Sequence, residues 1–164
     1  MNLYLLRHGE AESVATTSAG RQLTEAGYEE IENVARQFVS RHLSLDRCFV
    51  SPALRTQQTA ETFLAQIFHP PALETLDALD ATCRAADAMR ALDGIDIKNS
   101  GNILLVSHNP LLSELLALLT DGNIDHLRIL ETGNLACVTL DIIGLGMGDL
   151  AFMLEPDPAR VASS

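Results

Sequence analysis

The chain is expected to fold as an α/β protein, a three-layer α/β/α sandwich on a mostly parallel central sheet with a late antiparallel strand and no lid domain. Three observations lead there. Short apolar runs of strand length alternate with stretches of helical period. Several runs end in chemistry-bearing residues, as strands do at the carboxyl edge of a parallel sheet. At 164 residues the chain suits one domain with a continuous core.

The first strand, Leu3–Arg7, is the run Leu3-Tyr4-Leu5-Leu6 ending in Arg7-His8-Gly9. A helix follows, marked by Ile31, Val34, Ala35, Phe38, Val39 and His42 at i, i+3, i+4 and i+7 spacing. Cys48–Ser51 is the second strand, and Ala60, Phe63, Leu64 and Ile67 stripe the helix behind it. Ala72–Leu76 is the third strand, Ala85–Leu92 a further helix and Ile103–Ser107 the fourth strand. Leu112, Leu115, Leu116 and Leu119 mark the next helix; Leu111 and Leu118 widen the stripe, through deep burial or contact with another subunit. Leu135–Asp141 and Asp149–Leu154 are a later pair of strands, joined by the glycine-bearing loop or hairpin Asp141–Gly148. The stretch between the second helix and Ile103 is too short for a lid. Residues 1–155 therefore form a single domain, and 156–164, with two prolines and small polar residues, a frayed tail.

Two helix starts are written with a capping side chain beside proline, at Ser51-Pro52 and Asn109-Pro110. Arg55 then falls in a first helical turn and His108 just before another, where the positive end of the helix dipole suits an anion.

The formal charge of −11, from 11 basic and 22 acidic side chains, argues against nucleic acid and against a polybasic membrane surface. Any anion site must rest on local cations. Cys48, Cys83 and Cys137 are odd in number and lack a CxxC pair, which points to reduced thiols in a cytoplasmic protein. No apolar stretch reaches the ~18 residues of a membrane span. The N-terminal apolar run is too short for a cleaved leader.

Two arginines and two histidines, each near a strand end, suit phosphoryl transfer. A phosphoryl group needs its oxygens held during in-line attack, and the planar guanidinium fork matches two oxygens. Arg7 and Arg55 would be the clamp, His8 the nucleophile forming a phosphohistidine intermediate, and His108 the imidazole that hydrogen-bonds the transferring oxygens. Gly9 would let the backbone approach the ligand and expose amide hydrogens, and the Asn109 amide would touch phosphate. Flanking cations would keep His8 neutral near pH 7. With the arginines supplying positive charge, neither metal nor cofactor is implied. Ser107 is explained as a strand terminus; Gln58 and Thr59 either support Arg55 or form a polar helix face; Glu10 and Glu12 belong to the rim. His42, His69 and His126 have no companion motif.

Arg7-His8-Gly9, Ser51-Pro52 followed by Arg55 and Gln58-Thr59, Ser107-His108 and the helix entry Leu23-Thr24 with Gly27 together resemble the histidine phosphatase superfamily. The short length, Ser107-His108-Asn109-Pro110 and Thr132-Gly133 are most similar to its small SixA-type phosphohistidine phosphatases. The resemblance implies a metal-independent phosphatase with a phosphohistidine-bearing partner from a phosphorelay or phosphotransferase system.

One departure sharpens this expectation. Many members carry a glutamate shortly after the third strand to protonate the leaving oxygen; here the region reads Leu76-Asp77-Ala78-Leu79-Asp80. A protonated phosphoimidazole can leave as neutral imidazole without an acid, whereas an alkoxide cannot. The missing acid and missing lid favour a phosphorylated protein side chain. Two alternatives stand: a phosphatase of small phosphorylated metabolites using Asp77 or Asp80 as proton donor, and a binding module for phosphorylated ligands that does no chemistry.

Overall fold

Six strands, β1 (Asn2–Arg7), β2 (Arg47–Val50), β3 (Leu73–Thr75), β4 (Asn102–Ser107), β5 (Leu135–Leu140) and β6 (Gly148–Leu154), form one sheet in the order β3-β2-β4-β1-β5-β6. The structure is a computed structural model that describes residues 1–95 and 100–158. β1, β2, β3 and β4 pair in parallel. β5 runs antiparallel to both β1 and β6, so it is the single reversed strand, late in the chain as expected.

Four helices cover the sheet: α1 (Glu25–Ser40), α2 (Leu54–Leu64), α3 (Ala85–Gly94) and α4 (Leu111–Asp121). The two-residue period of a strand sends Tyr4 and Leu6 to one face and Leu3 and Leu5 to the other. Tyr4 and Leu6 pack with Ile31, Val34 and Phe38 of α1 and Ala60 and Phe63 of α2. There the Phe38 ring stands edge-on to Tyr4 at 5.0 Å and to Phe63 at 5.3 Å. Leu3 and Leu5 pack with Ala85, Ala88 and Leu92 of α3 and the leucines of α4. Central strands buried on both faces explain why their sequences are continuous apolar runs. Leu111 is buried and Leu118 packs partly buried on the same cluster, so burial within the chain accounts for the wide leucine stripe.

β1 and β4 are neighbours, yet α1 leaves β1 on one face and α4 leaves β4 on the other. Helices departing in opposite directions open a crevice at the carboxyl ends of the two strands. His8 and His108 are the residues that follow those strands. Among the described residues no segment stands off the sandwich as a lid.

Local details differ from expectation at the helix ends. Thr24 caps α1, its hydroxyl accepting from the Gly27 amide. Neither Ser51 nor Asn109 caps a helix: α2 and α4 begin behind Ala53 and Pro110, and neither start carries a side-chain cap bond. The chain takes an extra turn after each strand, which removes these side chains from the first helical amides. The Asn109-Pro110 peptide is cis. α1 ends at Ser40, and His42 lies past it with a left-handed φ of 56°. Ile67 likewise falls beyond α2. At the start of the expected tail the Asp157 amide donates to Asn33 Oδ1 (3.0 Å); the rest of that tail, 159–164, lies outside the described residues. No described helix is long and apolar enough to cross a membrane.

Candidate active site

The register of β1 on β4 sets Arg7 opposite Ser107, and the His8 amide continues the pairing by donating to the Ser107 carbonyl (3.1 Å). This brings the two imidazoles together, with ring centroids 5.4 Å apart. Both rings are buried. His8 Nδ1 lies 2.7 Å from the Gly9 carbonyl oxygen, which can only accept, so Nδ1 carries the proton and Nε2 keeps its lone pair. Burial pushes the His8 pKa down to about 4; the Gly9 bond opposes this, and Arg55, Arg7 and Arg21 add to it. Flanking cations contribute as expected, but loss of water is the larger cause.

Arg55, in the first turn of α2, donates from Nη2 to His108 Nδ1 (2.9 Å) and from Nη1 to the Ser18 carbonyl (2.7 Å). A guanidinium has no lone pair to offer, so His108 Nδ1 must accept and Nε2 must bear the proton. That proton goes to Ser51 Oγ, 2.8 Å away. Burial, then Arg55 and His8, hold the His108 pKa down at about 3. Ser51, which the sequence marks as a helix cap, is therefore the residue that orients His108.

Arg7 Nη1 donates to the Leu130 carbonyl (2.8 Å) and stands 3.8 Å from the exposed Glu131 carboxylate. Asn109 Nδ2 donates to the same Leu130 oxygen (2.7 Å), while Asn109 Oδ1 accepts from Ser113 (2.8 Å) and Ser113 Oγ accepts from the Leu130 amide (3.1 Å). The Asn109 side chain thus anchors the segment that holds Arg7. The Nε donors of Arg7 and Arg55 are buried without a partner, and Arg55 has no carboxylate within ion-pairing distance among the described residues. Positive charge in the crevice is under-compensated, which suits an anion.

Gly9 is needed for a different reason from the one its sequence position suggests. A Cβ there would lie 2.5 Å from the Gly27 carbonyl oxygen, so the glycine lets the β1 loop rest on the first turn of α1. Its amide is not left open to a ligand; it donates to Thr59 Oγ1 (3.2 Å), whose own hydroxyl donates to the Arg55 carbonyl (2.7 Å). Thr59 and Gln58, which accepts from the Leu23 amide (2.9 Å), support the site's loops. The Glu10 carboxylate accepts from the Thr24 hydroxyl (2.7 Å) at the entry to α1.

Of the two candidate proton donors, Asp77 is exposed and Asp80 lies nearer the site, in the electrostatic field of Arg55 and His108. Asp80 Oδ1 accepts from both the amide (2.9 Å) and the hydroxyl (2.7 Å) of Thr82. These bonds hold its pKa below the usual carboxylate value, which suits an acceptor and not an acid. His42, His69 and His126 do not join the site, and no group of described residues is arranged to hold a metal. The roles of Ser18, Ser51, Ser113 and Leu130 were not legible from sequence. Only Asn109 and Ser113, four apart across a helix start, carried any signal of their contact.

An unprotonated imidazole nitrogen beside two guanidinium groups is a nucleophile placed where a tetrahedral anion is attracted. The model of the histidine phosphatase superfamily (branch 1) matches residues 3–81. The chain belongs to that superfamily.

Within it, the phosphohistidine phosphatase SixA of Escherichia coli strain K12 is 30% identical over 146 residues, 89% of each chain. The SixA homolog of Haemophilus influenzae is 32% identical over 126 residues, 71% of this chain and 76% of its own. The structure of SixA complexed with tungstate superposes with a TM-score of 0.86 at 28% identity, covering 95% of this chain and 97% of that one.

Proposed function

We propose that this enzyme is a phosphohydrolase that removes the phosphoryl group from phosphohistidine on a partner protein through a phosphohistidine intermediate of its own. The observation that carries the proposal is His8, whose Nε2 is left with a free lone pair by the Nδ1–H bond to Gly9 and whose ring lies in the field of Arg55 and Arg7, each with an unpartnered buried Nε. The SixA relatives support the choice of substrate.

Arg7 and Arg55 clamp the phosphoryl oxygens. His8 Nε2 attacks phosphorus as the substrate P–N bond breaks, and its electron pair returns to the partner's histidine. Water then attacks the phosphoenzyme, breaking the P–Nε2 bond and releasing inorganic phosphate. His108 changes protonation along this path. Its Nδ1 accepts from Arg55 in the free enzyme. A bound phosphoryl dianion draws that guanidinium away and offsets the cationic repulsion, so His108 takes a proton from solvent at Nδ1 and donates it as a hydrogen bond to a phosphoryl oxygen.

The partner is a phosphohistidine domain of a phosphorelay or a carrier of a phosphotransferase system. A crevice over which no described segment forms a lid fits a protein-borne substrate. Residues 1–155 act as one catalytic domain, since β1 and β6 flank β5 in one sheet. A cytoplasmic setting accords with three unpaired cysteines. The metabolite-phosphatase alternative requires an acid on the leaving-group side, and Asp80, held ionised by Thr82, is ill suited to that task.

Incubation with a phosphohistidine-bearing protein and acid-free quenching should trap acid-labile phosphate on residue 8. His8→Ala should abolish turnover without unfolding the domain. Full activity in that variant would remove the mechanism.

A further inference from the structure

A cavity of about 150 Å³ adjoins the phosphoryl site through Arg55 and is lined besides by Ser18, by the small residues Ala19, Ala53 and Ala81, and by Asp80 and Thr82. We propose that it receives the imidazole ring of the incoming phosphohistidine, and that Asp80 accepts a hydrogen bond from the ring's unphosphorylated nitrogen. The proposal rests on the phosphohistidine reading and adds to it how the leaving group is recognised.

Size and surface come first. Small alanine walls leave room for a planar five-membered ring and offer it apolar faces, while Arg55 is shared with the phosphoryl clamp. A ring seated there is joined to a phosphoryl group within reach of the same guanidinium.

The carboxylate comes second. Both bonds from Thr82 fall on Asp80 Oδ1, and Oδ2 has no hydrogen-bond partner among the described residues. The Thr82 bonds favour the ionised form of Asp80, as does the Arg55 guanidinium from α2; the other titratable group near it, His108 at the end of β4, is neutral in the free enzyme, so Asp80 offers an acceptor and no proton.

That acceptor suits the chemistry. When the distal nitrogen of a phosphoimidazole carries a proton, P–N cleavage returns the electron pair to the proximal nitrogen, and the ring departs as neutral imidazole with its N–H still on Asp80. Without the distal proton, the departing ring would be an imidazolate. A carboxylate at this point raises the protonated fraction of the bound substrate, and it repels the anionic oxygen that leaves from a phosphate ester. The same side chain therefore promotes one bond cleavage and discourages the other.

The test compares phosphoimidazole with p-nitrophenyl phosphate. Asp80→Asn retains an oxygen for Thr82 but loses the charge. It should lower the ratio of kcat/KM for phosphoimidazole over the ester at least tenfold, and move the alkaline limb of kcat for phosphoimidazole to lower pH. A smaller change in the ratio, or an unmoved limb, overturns the proposal. A purely structural role for Asp80 would lower both activities together and leave the limb in place.

A second variant does not depend on that substitution folding well. Ala81 is exposed, so Ala81→Leu should be tolerated. It should raise KM for phosphoimidazole about tenfold while leaving inhibition by vanadate unchanged; an unchanged KM would place the ring elsewhere. Wild-type enzyme that cleaved esters and not phosphoimidazole would instead overturn the substrate reading, and this pocket with it.

Discussion

Ser51 Oγ and His108 Nε2 stand 2.8 Å apart, joining the end of β2 to the end of β4 across the sheet. Arg55, which can only donate to Nδ1, fixes the proton of His108 on Nε2, and the Ser51 hydroxyl accepts it and holds the ring in place. Ser51→Ala leaves a buried Nε2–H without an acceptor, at a cost of ~1–3 kcal/mol. The variant should have a lower melting temperature, and kcat should fall about tenfold because His108 is no longer held in one orientation. Calorimetry and steady-state kinetics check both; unchanged kcat would mean that His108 orientation does not limit the reaction.

Gly9 and Gly27 are a matched pair. A Cβ on Gly27 would lie 2.1 Å from the Glu10 carbonyl oxygen, and one on Gly9 would lie 2.5 Å from that of Gly27. These neighbours are backbone atoms that cannot swing aside, so each alanine variant must push the β1 loop off α1 at a cost of ~1–3 kcal/mol. Both variants should lose activity as well as stability, since the same loop carries His8. Gly94 is the control. Apart from its chain neighbours and its own helix backbone, no described residue has an atom within 4 Å of where a methyl group on Gly94 would sit, and this glycine ends α3. Gly94→Ala should therefore be neutral or mildly stabilising in thermal unfolding.

Much of this architecture is legible in the sequence because it depends on local pattern. Apolar runs such as Ile103-Leu104-Leu105-Val106 can hardly be anything but buried strands once helical stripes lie between them, and parallel strands bring His8 and His108 to one edge. The details that are not legible depend on nonlocal partners. Ser51 beside proline looks like a helix cap, and nothing nearby in sequence reveals that His108 takes its hydroxyl. Gly9 looks ligand-facing because Gly27 is remote along the chain. Sequence proximity likewise suggests arginine as the main influence on His8, whereas burial is a property of the assembled fold.

Asn109→Ala separates binding from chemistry. The Asn109 amide and Arg7 share the Leu130 carbonyl, so removing the amide frees the segment that aims Arg7 without touching His8. The expected result is a KM for phosphorylated substrate raised several-fold, with a smaller change in kcat. Equal loss in kcat and kcat/KM would show that Asn109 acts on the transition state instead.

The two histidines also make folding sensitive to acid. His8 and His108 titrate near 4 and 3 in the folded chain, below the ordinary histidine value of 6.5. Between those values and 6.5 the unfolded chain binds protons that the folded chain refuses, so stability is fully present above pH ~6.5 and is lost as pH falls toward 4 and then 3. Each such histidine contributes a slope of about 1.4 kcal/mol per pH unit across its window. His8→Asn removes one titrating ring, so urea-unfolding curves between pH ~6 and ~4.5 should show a slope about one proton smaller than in the wild type. Vanadate should oppose the effect in the wild type, because an anion in the crevice offsets the cations that help depress both rings. Equal slopes in the two proteins would mean that residue 8 is not held neutral by its burial, and a free Nε2 at neutral pH would lose its electrostatic basis.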